Sequence, residues 1–79
     1  MNVPRFAAIV HAALVRKLQG TLTQQDWTLA VLDAAHTSGI PLRAVVTVLR
    51  MAERDPHRTL SVIRTARTLD DITRDPEPP

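Results

Sequence analysis

The chain contains no cysteine, so neither a disulfide framework nor a thiolate metal site can hold a fold of this size together. Helix packing, with or without a second subunit, has to supply that stability. Glycine occurs only at Gly20 and Gly39, which excludes a glycine-rich phosphate loop. No apolar stretch approaches the ~20 residues that cross a bilayer, and the N-terminal region lacks the basic start and long apolar run of a signal peptide. The expectation is a soluble, cytoplasmic protein. Strand-period alternation and internal repeats are missing as well, which leaves helices as the building material.

Other absences narrow the chemistry. With 79 residues, 44% of them hydrophobic, the chain can fill a small core but not wall a deep substrate cavity. His11, His36 and His57 fall on three different predicted helices, none at metal-ligand spacing from a second plausible ligand. Ser38 and Ser61 lack a nucleophile-elbow context, and the carboxylates serve mostly as helix caps or in the tail. The reading is a binding module rather than an enzyme, with no cofactor and no metal.

What is present is a patterned set of arginines. The formal net charge is only +2, yet nine of the ten basic residues are arginine, whose planar fork of donors suits phosphate and carboxylate. Arg43, Arg50, Arg54, Arg58, Arg64 and Arg67 face only Glu53 and Asp55 within their segment, a local excess of about +4. Beyond it Asp70, Asp71, Asp75 and Glu77 outweigh Arg74.

Punctuation and spacing predict an all-α bundle of four short helices. The first opens near Pro4, carries Phe6, Ile9, Val10, Ala13, Leu14 and Leu18 on one face, and stops at Gly20. The second is capped by Thr23 with Asp26 three residues on, and turns Trp27, Val31, Ala34 and Ala35 inward, with Leu32 alongside. Ser38-Gly39 closes it. Pro41 starts the third, with Leu42, Val45, Leu49 and Ala52 inward and Val48 beside them, and Asp55-Pro56 ends it. A fourth is predicted from about Pro56 to Leu69, burying Leu60, Ile63 and Ala66 or Leu69 and holding Arg58, Arg64 and Arg67 outside. Residues 1–69 are expected to form one domain and 70–79 a disordered acidic, proline-rich tail.

The corner between the second and third helices carries a resemblance. Ala35, Gly39, Val45 and Val48 stand where helix-turn-helix proteins of small bacterial and phage regulators place a close-packing alanine, a turn glycine and two apolar anchors, and Ala34 and Ile40 are compatible. The chain resembles that family from roughly Thr28 to Arg50. The resemblance implies binding of double-stranded DNA, as a regulator of transcription or replication, by a recognition helix that exposes Arg43, Thr47 and Arg50, with Pro41 and Ala44 near its start. It also implies that Arg43 reaches guanine, that Thr47 and Arg50 touch base or phosphate, and that Arg54, Arg58, Arg64 and Arg67 clamp the DNA backbone. A homodimer is expected from small size and surplus apolar surface.

Val46 points to a rival. It falls on the DNA-facing side of a run, Ala44 to Leu49, that is rich in apolar residues, and a helix apolar on most sides is usually buried in its own subunit or in an interface. On that reading the chain is a helical interaction module, or an inhibitor of the phage and mobile-element kind that includes anti-CRISPR-like proteins. Trp27 and Val46 would be its anchors on an acidic or nucleic-acid-binding partner protein; the alternative for Trp27 is a core position.

Overall fold

A computed structural model describes residues 1–73, and within them the chain forms five helices and no strand. Helix α1 (Val3–Leu18) begins where the Asn2 side chain accepts a hydrogen bond from the Arg5 N–H at 3.1 Å. It ends at Gly20, whose φ of +79° lets Thr21 and Gly20 donate to the carbonyls of Arg16 and Lys17 at 3.0 and 3.1 Å. Helix α2 (Gln24–Ser38) starts at Thr23, whose hydroxyl oxygen accepts from the Asp26 N–H at 3.1 Å. The Asn2 N–H then donates to the Ser38 carbonyl at 2.8 Å. Because the start of α1 thus meets the end of α2, the two helices run antiparallel and zip Phe6, Val10 and Leu14 against Trp27, Val31 and Ala34 in the core.

Helices α3 (Leu42–Arg54) and α4 (Pro56–Thr65) are separated by Asp55 alone. The Asp55 N–H closes α3 on the Met51 carbonyl at 2.8 Å, and its carboxylate caps α4 by accepting from the Arg58 N–H at 3.1 Å. Thr59 is fully buried one turn on, and its hydroxyl donates to the Asp55 carbonyl at 2.8 Å, which removes the cost of burying it. Helix α4 packs on α1 and α3, and the radius of gyration of 11.3 Å is that of a chain collapsed on one core.

Two parts of the expected layout change. The fourth helix stops at Thr65 instead of continuing to Leu69, because Ala66 turns extended. A fifth helix, α5 (Leu69–Thr73), follows, and Ile72 on it is buried in the core against α3 and α4. The packed chain therefore runs past the expected boundary at 69/70, while the tail expected at residues 74–79 lies outside the described residues. The start signal for α5 is a capping box: the Asp71 carboxylate accepts from the N–H groups of Arg67 and Thr68 at 3.0 and 3.1 Å, and the Asp71 N–H donates to the Thr68 hydroxyl at 3.3 Å.

Most expected core positions are buried, among them Phe6, Trp27, Val31, Val45, Val48 and Ile63. Four leucine and isoleucine positions are corrections: Ile9, Leu18, Leu32 and Leu42 are exposed. Each lies at the edge of its helix's apolar stripe, and no neighbouring element covers that edge. No helix among the described residues is long and apolar enough to cross a membrane.

Candidate nucleic-acid interface

The corner between α2 and α3 is built from the residues that suggested it. Gly39 adopts φ +69°, the Ile40 N–H donates to the Ala35 carbonyl at 2.9 Å, and the Gly39 N–H donates to the His36 carbonyl at 3.4 Å. This pair of bonds satisfies carbonyls that a helix end leaves open, and it requires a left-handed residue at position 39. Space is not the constraint, since a Cβ on Gly39 would sit 3.6 Å from the Met1 Cα, an ordinary contact. Pro41, in extended conformation, launches α3, and its carbonyl accepts from the Ala44 N–H at 3.0 Å. Ala34, Ala35 and Ile40 are buried at the turn, and Val45 and Val48 anchor α3 from the other side.

The outward face of α3 follows from its buried arc. Ala44, Val45, Val48 and Ala52 point inward, which leaves Arg43, Val46 and Arg50 outward. Ala44, expected near the exposed start of this helix, is fully buried instead, because it lies on the same side as Val48 one turn later. Val46 is 41% exposed and Leu42 is 67% exposed. Successive steps of four, three and four residues align Arg43, Thr47, Arg50 and Arg54 in one stripe along the helix. Thr47 is half-buried at the edge of that stripe, and its hydroxyl donates to the Arg43 carbonyl at 2.9 Å. Toward a ligand it can therefore act as an acceptor only while that bond is kept.

The remaining arginines do not continue the stripe. Arg58 is half-buried on the first turn of α4, and Arg64, six residues on, lies about 120° around the helix from it. Arg67 sits beyond the end of α4, so the expected single outer face of Arg58, Arg64 and Arg67 does not form. Arg64 and Arg67 instead flank an open groove of about 800 Å3 between α1 and α4, floored by Ala7, Ala8, Ile63 and Ala66 and bordered by Pro4 and His11. None of its lining residues belongs to α3.

No protein-family model matches the chain, and no curated protein or solved structure matches it either. The interface has to be argued from its own residues. Trp27, considered above as a partner anchor, is 1% exposed and lies among the core residues, which corrects that assignment: its ring has no surface to offer a partner. The α1/α4 groove was missed by sequence reasoning. Its signal was Pro4, Ala7, Ala8 and His11 at helical spacing on the flank of α1, a set that a search for large apolar side chains passes over.

Proposed function

We propose that the chain binds duplex DNA through α3, as a small helix-turn-helix regulator of transcription or replication. The observation that supports the reading is the outward position of Val46 between Arg43 and Arg50, on a helix held from behind by Ala44, Val45 and Val48. A helix of 13 residues presented in this way fits the width of a major groove. Within it, Arg43 offers two parallel donors to guanine O6 and N7. Val46 offers an apolar contact to a thymine methyl, a role that its exposure makes available and a buried valine could not fill. The Thr47 oxygen can accept from an exocyclic amine, while Arg50 and Arg54, farther along the same stripe, neutralise phosphates. Two copies related by a two-fold axis would read half-sites one helical turn apart.

The experiment is a fluorescence-anisotropy titration of the full chain with mixed-sequence duplexes at low and raised salt, comparing wild type with Arg43→Ala and Arg50→Ala. Binding that weakens with salt, and costs of about 1–3 kcal/mol for a base-reading arginine, are expected. Absence of binding to any duplex at low salt removes the proposal.

One observation favours a second reading. Leu42 and Val46 stand one turn apart on the exposed flank of α3, next to Arg43 and Arg50, and an apolar strip edged by arginine is also the composition of a protein-binding surface. In that case the chain is a helical interaction module or inhibitor whose partner carries acidic groups. A pull-down in which Val46→Asp abolishes capture, while duplex binding is absent in the wild type, selects this reading over the first.

A further inference from the structure

We propose that the outward side of α2 is the contact surface for a second copy of the chain, paired antiparallel about a two-fold axis. Gln25, Leu29, Leu32 and His36 follow one another by four, three and four residues, so they form one stripe along α2, turned away from the core that Trp27, Val31 and Ala34 face. All four are exposed, Leu29 by 54% and Leu32 by 39%. Ile9 extends the patch. Pro4, Ala8 and His11 mark the flank of α1 toward α4, which leaves Ile9, 38% exposed, on the flank toward α2. The bond from Asn2 to Ser38 sets the antiparallel register of the two helices, so Ile9 stands at about the level of Val31, between Leu29 and Leu32.

The stripe matches its own reverse. A two-fold axis between Ala30 and Val31 sets Leu29 against Leu32 of the second copy and Leu32 against its Leu29, as a closed two-fold contact demands. The same axis sets Gln25 against His36 at both ends of the leucines. The amide both donates and accepts, so the imidazole ring finds a match on it in either protonation state. Charge excludes a nucleic acid here, since α2 has no lysine or arginine and carries the carboxylates of Asp26 and Asp33. Size sets the strength. A helix of 15 residues is about 22 Å long, and with a width of about 15 Å the patch buries on the order of 700 Å2 from both copies, the scale of a weak, reversible contact rather than a permanent dimer. No residue of the stripe belongs to α3, so the pairing does not use Arg43, Val46 or Arg50. It supplies the two-fold axis that reading half-sites requires, without resting on that reading.

The test is sedimentation equilibrium of the full chain without DNA, at protein concentrations from about 10 µM to about 1 mM. A monomer–dimer equilibrium with a dissociation constant on the order of 100 µM is expected. Leu29→Lys and Leu32→Glu, both at exposed positions, should each weaken self-association by about 10-fold, because each sets two charges into an apolar contact; circular dichroism checks that both variants stay folded. Mixed with each other, the two variants should associate about 5-fold more tightly than either does alone. In the mixed pair the introduced ammonium meets the introduced carboxylate at one site, and leucine meets leucine at the other. Three results overturn the proposal. The first is a wild type that stays monomeric throughout the range, and the second is a Leu29→Lys variant that pairs as tightly as wild type. The third is a mixture no tighter than its components, which removes the antiparallel register. A chain that stays monomeric yet binds duplex removes the pairing and leaves the α3 reading standing, so the two failures are distinguishable.

Discussion

The N–H of Asn2 donates to the carbonyl of Ser38 at 2.8 Å, tying the first residues of the chain to the last residue of α2. The corner that launches α3 is therefore braced from two sides, by its own turn bonds and by the strap at Asn2. A change at the strap should be felt at the corner. Asn2→Pro, which removes the donated N–H as well as the side-chain cap, is expected to destabilise by about 1–3 kcal/mol. Asn2→Ser, which keeps both groups, should stay near wild type, and urea unfolding measures the difference.

Gly39→Ala should cost about 1–2 kcal/mol, because a side chain at φ +69° is strained even where space permits it. Gly20→Ala, at φ +79° with nothing within 4 Å of its added Cβ, should cost the same amount. A much larger loss at Gly39 in denaturant melts would mean that crowding against Met1, not backbone conformation, sets the requirement for glycine.

Trp27→Ala should lose about 3–5 kcal/mol, the range for emptying a large aromatic from a core. The single tryptophan also provides a direct check: its fluorescence should be blue-shifted in the native chain and resist a soluble quencher. Ready quenching in the folded state would contradict its burial.

Val45→Asp and Val46→Asp should part company despite being adjacent. The first places a charge at a fully buried position and should unfold the chain by circular dichroism, whereas the second lies on the exposed flank and should shift stability by no more than about 0.5 kcal/mol. Aspartate at 46 also sits four residues before Arg50, a spacing that supports a helix. Its effect should appear in binding, where a carboxylate beside Arg43 and Arg50 repels phosphate and cannot contact a methyl group.

Ile72→Ala should destabilise by about 2–4 kcal/mol, as a buried isoleucine does when truncated. Asp71→Ala, which removes the cap shared by Arg67 and Thr68, should cost about 1 kcal/mol. A chain whose packing ended at residue 69 would show neither loss in a thermal melt.

Local signals in this sequence were legible where one residue type had one task. Gly20 and Gly39 mark the ends of α1 and α2, Thr23 and Asp55 mark two helix starts, and the inward faces of Trp27, Val31 and Ala35 or of Val45 and Val48 follow from period alone. Leu42 and Ile9 are exposed although their spacing predicts burial, because a small fold has too few neighbours to cover every apolar edge. The capping box at Thr68 and Asp71 was available in the sequence, but Asp70 and Asp71 read as acidic tail, and a helix of five residues has little periodicity to reveal it. The division of the arginines between the α3 stripe and the α1/α4 groove depends on where α4 ends and on which helix lies across from it, and both are set by tertiary packing.

Asp55 is the whole of the connection between α3 and α4, and its N–H, carbonyl and carboxylate are all engaged by the two helices it joins. Such an elbow has no slack. With no hinge at Asp55, and with α4 held on α1 through the buried Thr59 and Ile63, α3 is locked to the rest of the fold as one rigid body. The Arg43 stripe and the groove beside Arg64 and Arg67 therefore keep a fixed spacing and orientation, whatever lands on either of them.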